Sequence, residues 1–168
     1  MAEALNLQIT LKIAGALTNA IDLSTPTQAF ATDYSSLLVF GNGTGANQAN
    51  MIWHDQRSVG TGSEDLDLAG SLVSAFGTTI TFTVVKGVLI VASTANSGNV
   101  VVSRPASNGL VLFTAASDGL AALKPGGIFL FTDPSAAGLT VTASTGDLLN
   151  VDASTGTVVY DVWIWGEV

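Results

Sequence analysis

From Leu5 to Ile13 every second residue is a large aliphatic: Leu5, Leu7, Ile9, Leu11 and Ile13 alternate with Asn6, Gln8, Thr10 and Lys12. A repeat of two is the side-chain period of a strand, because successive residues point to opposite faces of the pleat. A helix would need apolar residues three as well as four apart, and no two of these five are three apart. The segment reads as a strand with one buried face. The signature returns at Thr78 to Lys86, where Ile80, Phe82 and Val84 alternate with threonines.

Turn residues divide the rest of the chain into short pieces. Thr18 to Ser36 is polar and turn-rich, includes Pro26, and reads as an extended arm or long loop. Leu37 to Phe40 is a short apolar strand that ends at Gly41-Asn42-Gly43-Thr44-Gly45, where glycine permits positive φ. Strands are expected at Met51–Gln56 and Ser63–Leu68, and one helical turn at Leu72–Gly77. Gly87 is read as a link from the threonine-rich strand to Val88–Ser93. Asn96-Ser97-Gly98-Asn99 is read as a hairpin turn into Val100–Ser103. Pro125-Gly126-Gly127 opens the strand Ile128–Phe131, and Asp133-Pro134 closes it.

The C-terminal stretch supplies three more strands, Leu139–Thr142, Leu148–Val151 and Val158–Trp165. They are joined by two Ala-Ser-Thr-Gly turns at 143–146 and 153–156, a spacing that predicts a β-meander. Roughly ten short strands with regular turns predict an all-β fold: an antiparallel β-sandwich or jelly-roll-like domain over 37–168, with an extended N-terminal arm over 1–36.

Composition narrows what such a domain does. Of 168 residues 48% are hydrophobic and only 11% charged, against a usual charged share of about 25%. A β domain with so few charges is expected to bury part of its surface against other subunits. The net charge of −8, with five Lys and Arg spread from Lys12 to Lys124, leaves no basic groove for nucleic acid. No apolar run reaches the length of a membrane span, and the N-terminus lacks the pattern of a secretory signal, so the protein is expected to start in the cytoplasm of the cell that makes it. Cysteine is absent, which removes disulfides, thiol chemistry and cysteine-bound zinc.

The residues that could carry chemistry are few. His54 is the sole histidine, and Asp55 beside it points to the opposite face of a strand, so no orienting carboxylate is nominated. Glu64, Asp65 and Asp67 form the densest acidic cluster, a candidate for cation binding or acid–base work. Alternation splits them across two faces, the ordinary pattern of a half-solvated strand. Asp147 and Asp152 flank turns and read as turn-makers. Gly41 to Gly45 lacks the Gly-Lys-Ser/Thr that would make it a phosphate loop. Trp163 and Trp165 share one face of the last strand, opposite Val162 and Ile164. They are expected to be buried, in the core or at a subunit interface, rather than to stack on sugar rings. No catalytic, cofactor-binding or metal-binding residue is expected.

Several segments resemble a pattern recurring in small structural proteins of tailed bacteriophages. They are Gly43-Thr44-Gly45-Ala46-Asn47-Gln48-Ala49 with Trp53-His54-Asp55-Gln56-Arg57, and Ser63-Glu64-Asp65-Leu66-Asp67-Leu68-Ala69-Gly70 running on to Ala75-Phe76-Gly77. Pro125-Gly126-Gly127, Gly138-Leu139-Thr140-Val141-Thr142 and Gly146-Asp147-Leu148-Leu149-Asn150-Val151 complete the likeness, which covers about 43–165. The resemblance implies a non-enzymatic virion component. The head cement or decoration type is the first expectation: a trimer on the capsid surface that binds the major capsid protein and bridges capsomers. A tail or fibre protein is the alternative, and a carbohydrate-binding module a third. Interface candidates are Trp163 and Trp165, with Thr25, Pro26 and Phe30 in the arm.

Overall fold

The computed structural model describes residues 4–29, 34–119 and 122–168. It is all-β: every ladder between its twelve strands is antiparallel. Four strands, β1 (Leu7–Ile13), β2 (Ala16–Thr18), β3 (Thr27–Ala29) and β4 (Tyr34–Phe40), belong to the N-terminal quarter. The other eight form the body. β5 (Met51–Val59), β7 (Val84–Ala92), β9 (Ile128–Thr132), β10 (Leu139–Thr140) and β12 (Val158–Glu167) make a five-stranded sheet. β6 (Gly62–Asp67), β8 (Val100–Ser103) and β11 (Leu148–Ala153) make a three-stranded one.

The two sheets share one core. β7 and β12 send Val88, Ile90, Val158, Tyr160, Val162 and Ile164 inward, and β6, β8 and β11 answer with Leu66, Val100, Val102, Leu149 and Val151. Each of these sits at every second position of its strand, so the pleat alone sorts them to one face. Ile80 and Phe82 join this core from outside the strands. They lie in an irregular stretch whose Ile80 and Phe82 amides are held by the carbonyls of Leu72 and Leu68.

A bulge sets the far end of β7. Gly87 pairs with Trp165 and Val85 with Gly166, which leaves Lys86 as the extra residue. The bulge lets Val85 and Val88, three apart, both face the core, and it turns Lys86 fully inside. An isolated buried ammonium would be prohibitive, so its partners matter. Lys86 Nζ pairs with Glu167 Oε1 at 3.1 Å and donates to the carbonyls of Ser135 and Ala136.

Several sequence expectations are corrected, among them the strand over Thr78–Lys86, which begins only at Val84. Gly87 lies inside β7 rather than linking two strands: a Cβ there would fall 2.0 Å from the Trp165 ring. The turn at 96–99 carries the chain from the five-stranded sheet to the three-stranded one, so it is not a hairpin. The C-terminal strands are not a meander, since β10, β11 and β12 pair alternately in the two sheets and the turns at 143–146 and 153–156 cross between them. Leu72–Gly77 is not helical. The Ser74 hydroxyl accepts from the amides of Phe76 and Thr78, and Gly77 takes φ +83°, which together hold an irregular turn.

The N-terminal quarter folds as a ribbon rather than an extended arm. β1 pairs along its length with β4, from Leu7↔Phe40 to Ile13↔Tyr34, so this ladder runs across the 36/37 boundary expected from the sequence. Beyond it β2 pairs with β3, and an Ile21↔Ser24 bridge closes the tip around Asp22 and Leu23. Thr18, Thr27–Ala29 and Tyr34–Ser36 thus lie in antiparallel ladders rather than in a loop.

Candidate functional site

Cross-strand register assigns the ribbon's faces. Leu7, Phe40, Ile9, Leu38, Leu11, Ser36, Ile13 and Tyr34 fall on one side; Gln8, Val39, Thr10, Leu37, Lys12 and Ser35 fall on the other. At its base the first side lies on the outer face of the five-stranded sheet. Phe40 and Trp165 are both fully buried there, with ring centroids 6.2 Å apart and planes at 66°, an edge-to-face pair. Leu7, Ile9 and Leu38 pack around them with Ile52, Leu89, Leu130 and Trp163. Gly87 exists for this contact, because only a residue without Cβ leaves room for the indole.

Past Ile9 the same row of side chains leaves the body behind. Leu11 and Ile13 keep the alternation yet are exposed, Ile13 at 56%, as is Tyr34 across the ladder. Further out stand Leu17 and Ile21, and Leu23 at the tip is 98% exposed. Fully burying a Leu or Ile side chain contributes about 1.5–3 kcal/mol, so this row leaves several kcal/mol of burial unrealised. Two-stranded ribbons are marginal in water by themselves, and both long edges of this one are open to further pairing. Over its described length, 4–29 and 34–40, the ribbon carries only Lys12 and Asp22 as charges. Sparsely charged, apolar along one face and unpaired at its described edges, it has the chemistry of a docking element.

The outer face of the sheet beside the ribbon is apolar along β7 and β9 and turns polar toward β5. Cross-strand pairs set Leu130, Leu89, Trp163 and His54 in one row and Ile128, Val91, Asp161 and Gln56 in the next. An open groove runs between this face and the ribbon base, lined by Leu7, Ile9, Ile52, Leu89, Leu130 and Trp163. Ile128 is 64% exposed at its margin.

The interface candidates separate on this frame. Trp165, at 2% exposure, is sealed beneath the ribbon, while Trp163 is half-buried at the groove. Burial was the expectation for both: Trp165 meets it, while Trp163 keeps part of its surface open at the groove. Thr25 and Pro26 are exposed near the ribbon tip, where the Pro26 carbonyl accepts from the Asn19 amide. Phe30 lies outside the described residues.

The polar candidates are occupied by structure. Glu64 faces inward between the sheets, accepting from the Tyr160 hydroxyl at 2.8 Å and from the Arg57 guanidinium. Burial, together with that bond to Glu64, pushes the Tyr160 phenol well above its ordinary range. The hydrogen bond to Glu64 raises Arg57 likewise, so the guanidinium stays charged. Asp65 accepts from Asn150 at 2.7 Å, and Asp67 caps its own turn through the Ala69 amide at 2.9 Å. The acidic cluster therefore divides among three separate contacts. Asp147 accepts from the Ser144 amide at 2.7 Å, the turn-making role expected of it. Gln48 plugs the 41–45 loop, its Oε1 taking the Gly45 amide at 2.8 Å where a phosphate oxygen would sit. His54 and Asp55 are both exposed on opposite faces of β5, with Asp55 turned toward Arg57.

The sequence reading missed two things. One is Lys86, which alternation marked as a strand end and which the bulge buries. The other is the ribbon's overhang, whose signal was present in Leu11 and Ile13 continuing a pattern that the body is too small to cover. No protein-family model, curated protein or solved structure matches the chain.

Proposed function

We propose that this protein is a structural virion component of the cement or decoration type. In this reading it is a β-sandwich that sits on the outer capsid surface, contacts the major capsid protein and neighbouring copies as a trimer, and bridges capsomers without catalysis. The observation that carries the reading is the projecting ribbon: a sparsely charged element with exposed Leu11, Ile13, Leu17 and Leu23, held at its base by a buried aromatic pair. A cement protein must adhere through many shallow contacts and resist outward pressure. A rigid body with an apolar projection suits that task, since linked weak contacts multiply in avidity. The low charged content and the resemblance to tailed-phage structural proteins favour the same assignment.

The test adds purified protein to heads that lack it, then heats them and follows DNA release. The reading predicts binding to the head and a higher release temperature. Binding to tails, or head binding with no change in release, would overturn it in favour of a tail or fibre protein.

A further inference from the structure

We propose that the overhanging face of the ribbon docks on the outer sheet face of a second copy of this chain, beside that copy's own ribbon base. This rests on the self-association in the functional reading above and names the surfaces that build it. The donor surface is Leu11, Ile13 and Tyr34; the acceptor is Leu89, Leu130, Trp163, Val91 and Ile128.

Three observations select this occupant. First, the molecule already demonstrates the fit. The row that begins with Leu7 and Ile9 packs on Leu89, Leu130 and Trp165 of the same chain, and Leu11 and Ile13 continue that row with the same period and side-chain type. Seating them on the uncovered part of an equivalent face repeats a contact the sequence has evidently been built to make. Second, the electrostatics fit self-association. A chain of net charge −8 repels its copies, yet the groove is lined by no charged residue, Asp161 is the one acid in the row of Val91 and Ile128, and the described residues of the ribbon carry only Lys12 and Asp22. The two surfaces meet where repulsion is least. Third, the reach suffices. From Ile9 to Ile13 the strand spans about 13 Å at 3.3 Å per residue. The acceptor residues lie on three adjacent strands, β9, β7 and β12, about 10 Å across at 4.8 Å per strand, so the donor row can cover them. The contact joins two different surfaces, ribbon to groove, so it closes either reciprocally about a twofold axis or head-to-tail as a ring, and the ring is the closure that the trimer of the functional reading requires.

The test uses sedimentation of the full chain at micromolar concentration. Leu11→Lys with Ile13→Lys blocks the ribbon, and Val91→Lys with Ile128→Lys blocks the groove; Ser35→Glu, on the opposite ribbon face, is the control. Native and control proteins are expected to assemble, each blocked protein to sediment as a monomer, and a mixture of the two blocked proteins to recover a dimer through the one intact pairing. Because the chain has no cysteine, Ile13→Cys in one copy and Ile128→Cys in a differently tagged copy give a second readout. Oxidation of the mixture should yield the tagged–untagged cross-link. A native protein that remains monomeric, or blocked proteins that still assemble with no cross-link, overturns the inference. Head binding by a monomeric native protein would leave the cement reading standing while sinking this one.

Discussion

In β12, Val158, Tyr160, Val162 and Ile164 point into the core at every second position, and each is buried against side chains of the facing sheet. In β1 the period is the same and the residues are as apolar, yet Leu11 and Ile13 stand exposed. Alternation says which residues share a face. It does not say whether the molecule contains anything to cover that face. The body closes its own core; the ribbon closes one only as far as Ile9 and Leu38, where Phe40 and Trp165 anchor it. A sequence written for burial but left uncovered by its own chain implies that the cover comes from elsewhere.

The sharpest way to break this comparison is inside the body, where the apolar core is closed and a charge is enclosed beside it. Lys86→Met removes an ammonium that is wholly enclosed and leaves Glu167 and the carbonyls of Ser135 and Ala136 without their donor. Stranding a buried charge costs about 3–5 kcal/mol, so chemical denaturation should show a loss of that order. An unchanged midpoint would mean that Lys86 is not enclosed as described. At the seam between body and ribbon the expected effect is smaller. Gly87→Ala forces a methyl into the Trp165 ring, an overpacking cost of about 1–3 kcal/mol. It should also loosen the ribbon base, so tryptophan emission is expected to shift to the red before the body unfolds. A blue shift, or none, would show that Gly87 does not make room for the indole.

These residues also mark what the sequence could and could not reveal. The fold class was legible because strands with one or two buried faces write themselves as alternation and short apolar runs. The burial of Trp165 was legible because Val162 and Ile164 occupy the other face of its strand. Which sheet each strand joins was not legible. A turn such as Ala143–Gly146 has the same composition whether it reverses the chain within a sheet or carries it across to the next. Lys86 was hidden for a related reason: a bulge has no fixed composition, and one extra residue inverts every facing assignment beyond it. The ribbon was half legible. Its first strand was plain, but the polar stretch after it concealed that Ala16–Thr18 and Thr27–Ala29 pair with each other.

The most direct measurement removes the overhang and leaves its anchor. Ile9 and Leu38 are cross-strand partners, so replacing residues 10–37 with Asn-Gly closes a short hairpin at the point where cover ends. Melting and sedimentation of this shortened chain are then compared with those of the native protein at a concentration where the native protein assembles. The account predicts that the shortened chain sediments as a monomer and that its unfolding free energy per monomer stays within about 0.5 kcal/mol of native, as expected where no core contact is lost. A shortened chain that unfolds, or that assembles as the native protein does, would contradict the claim that the overhang serves a partner rather than its own fold.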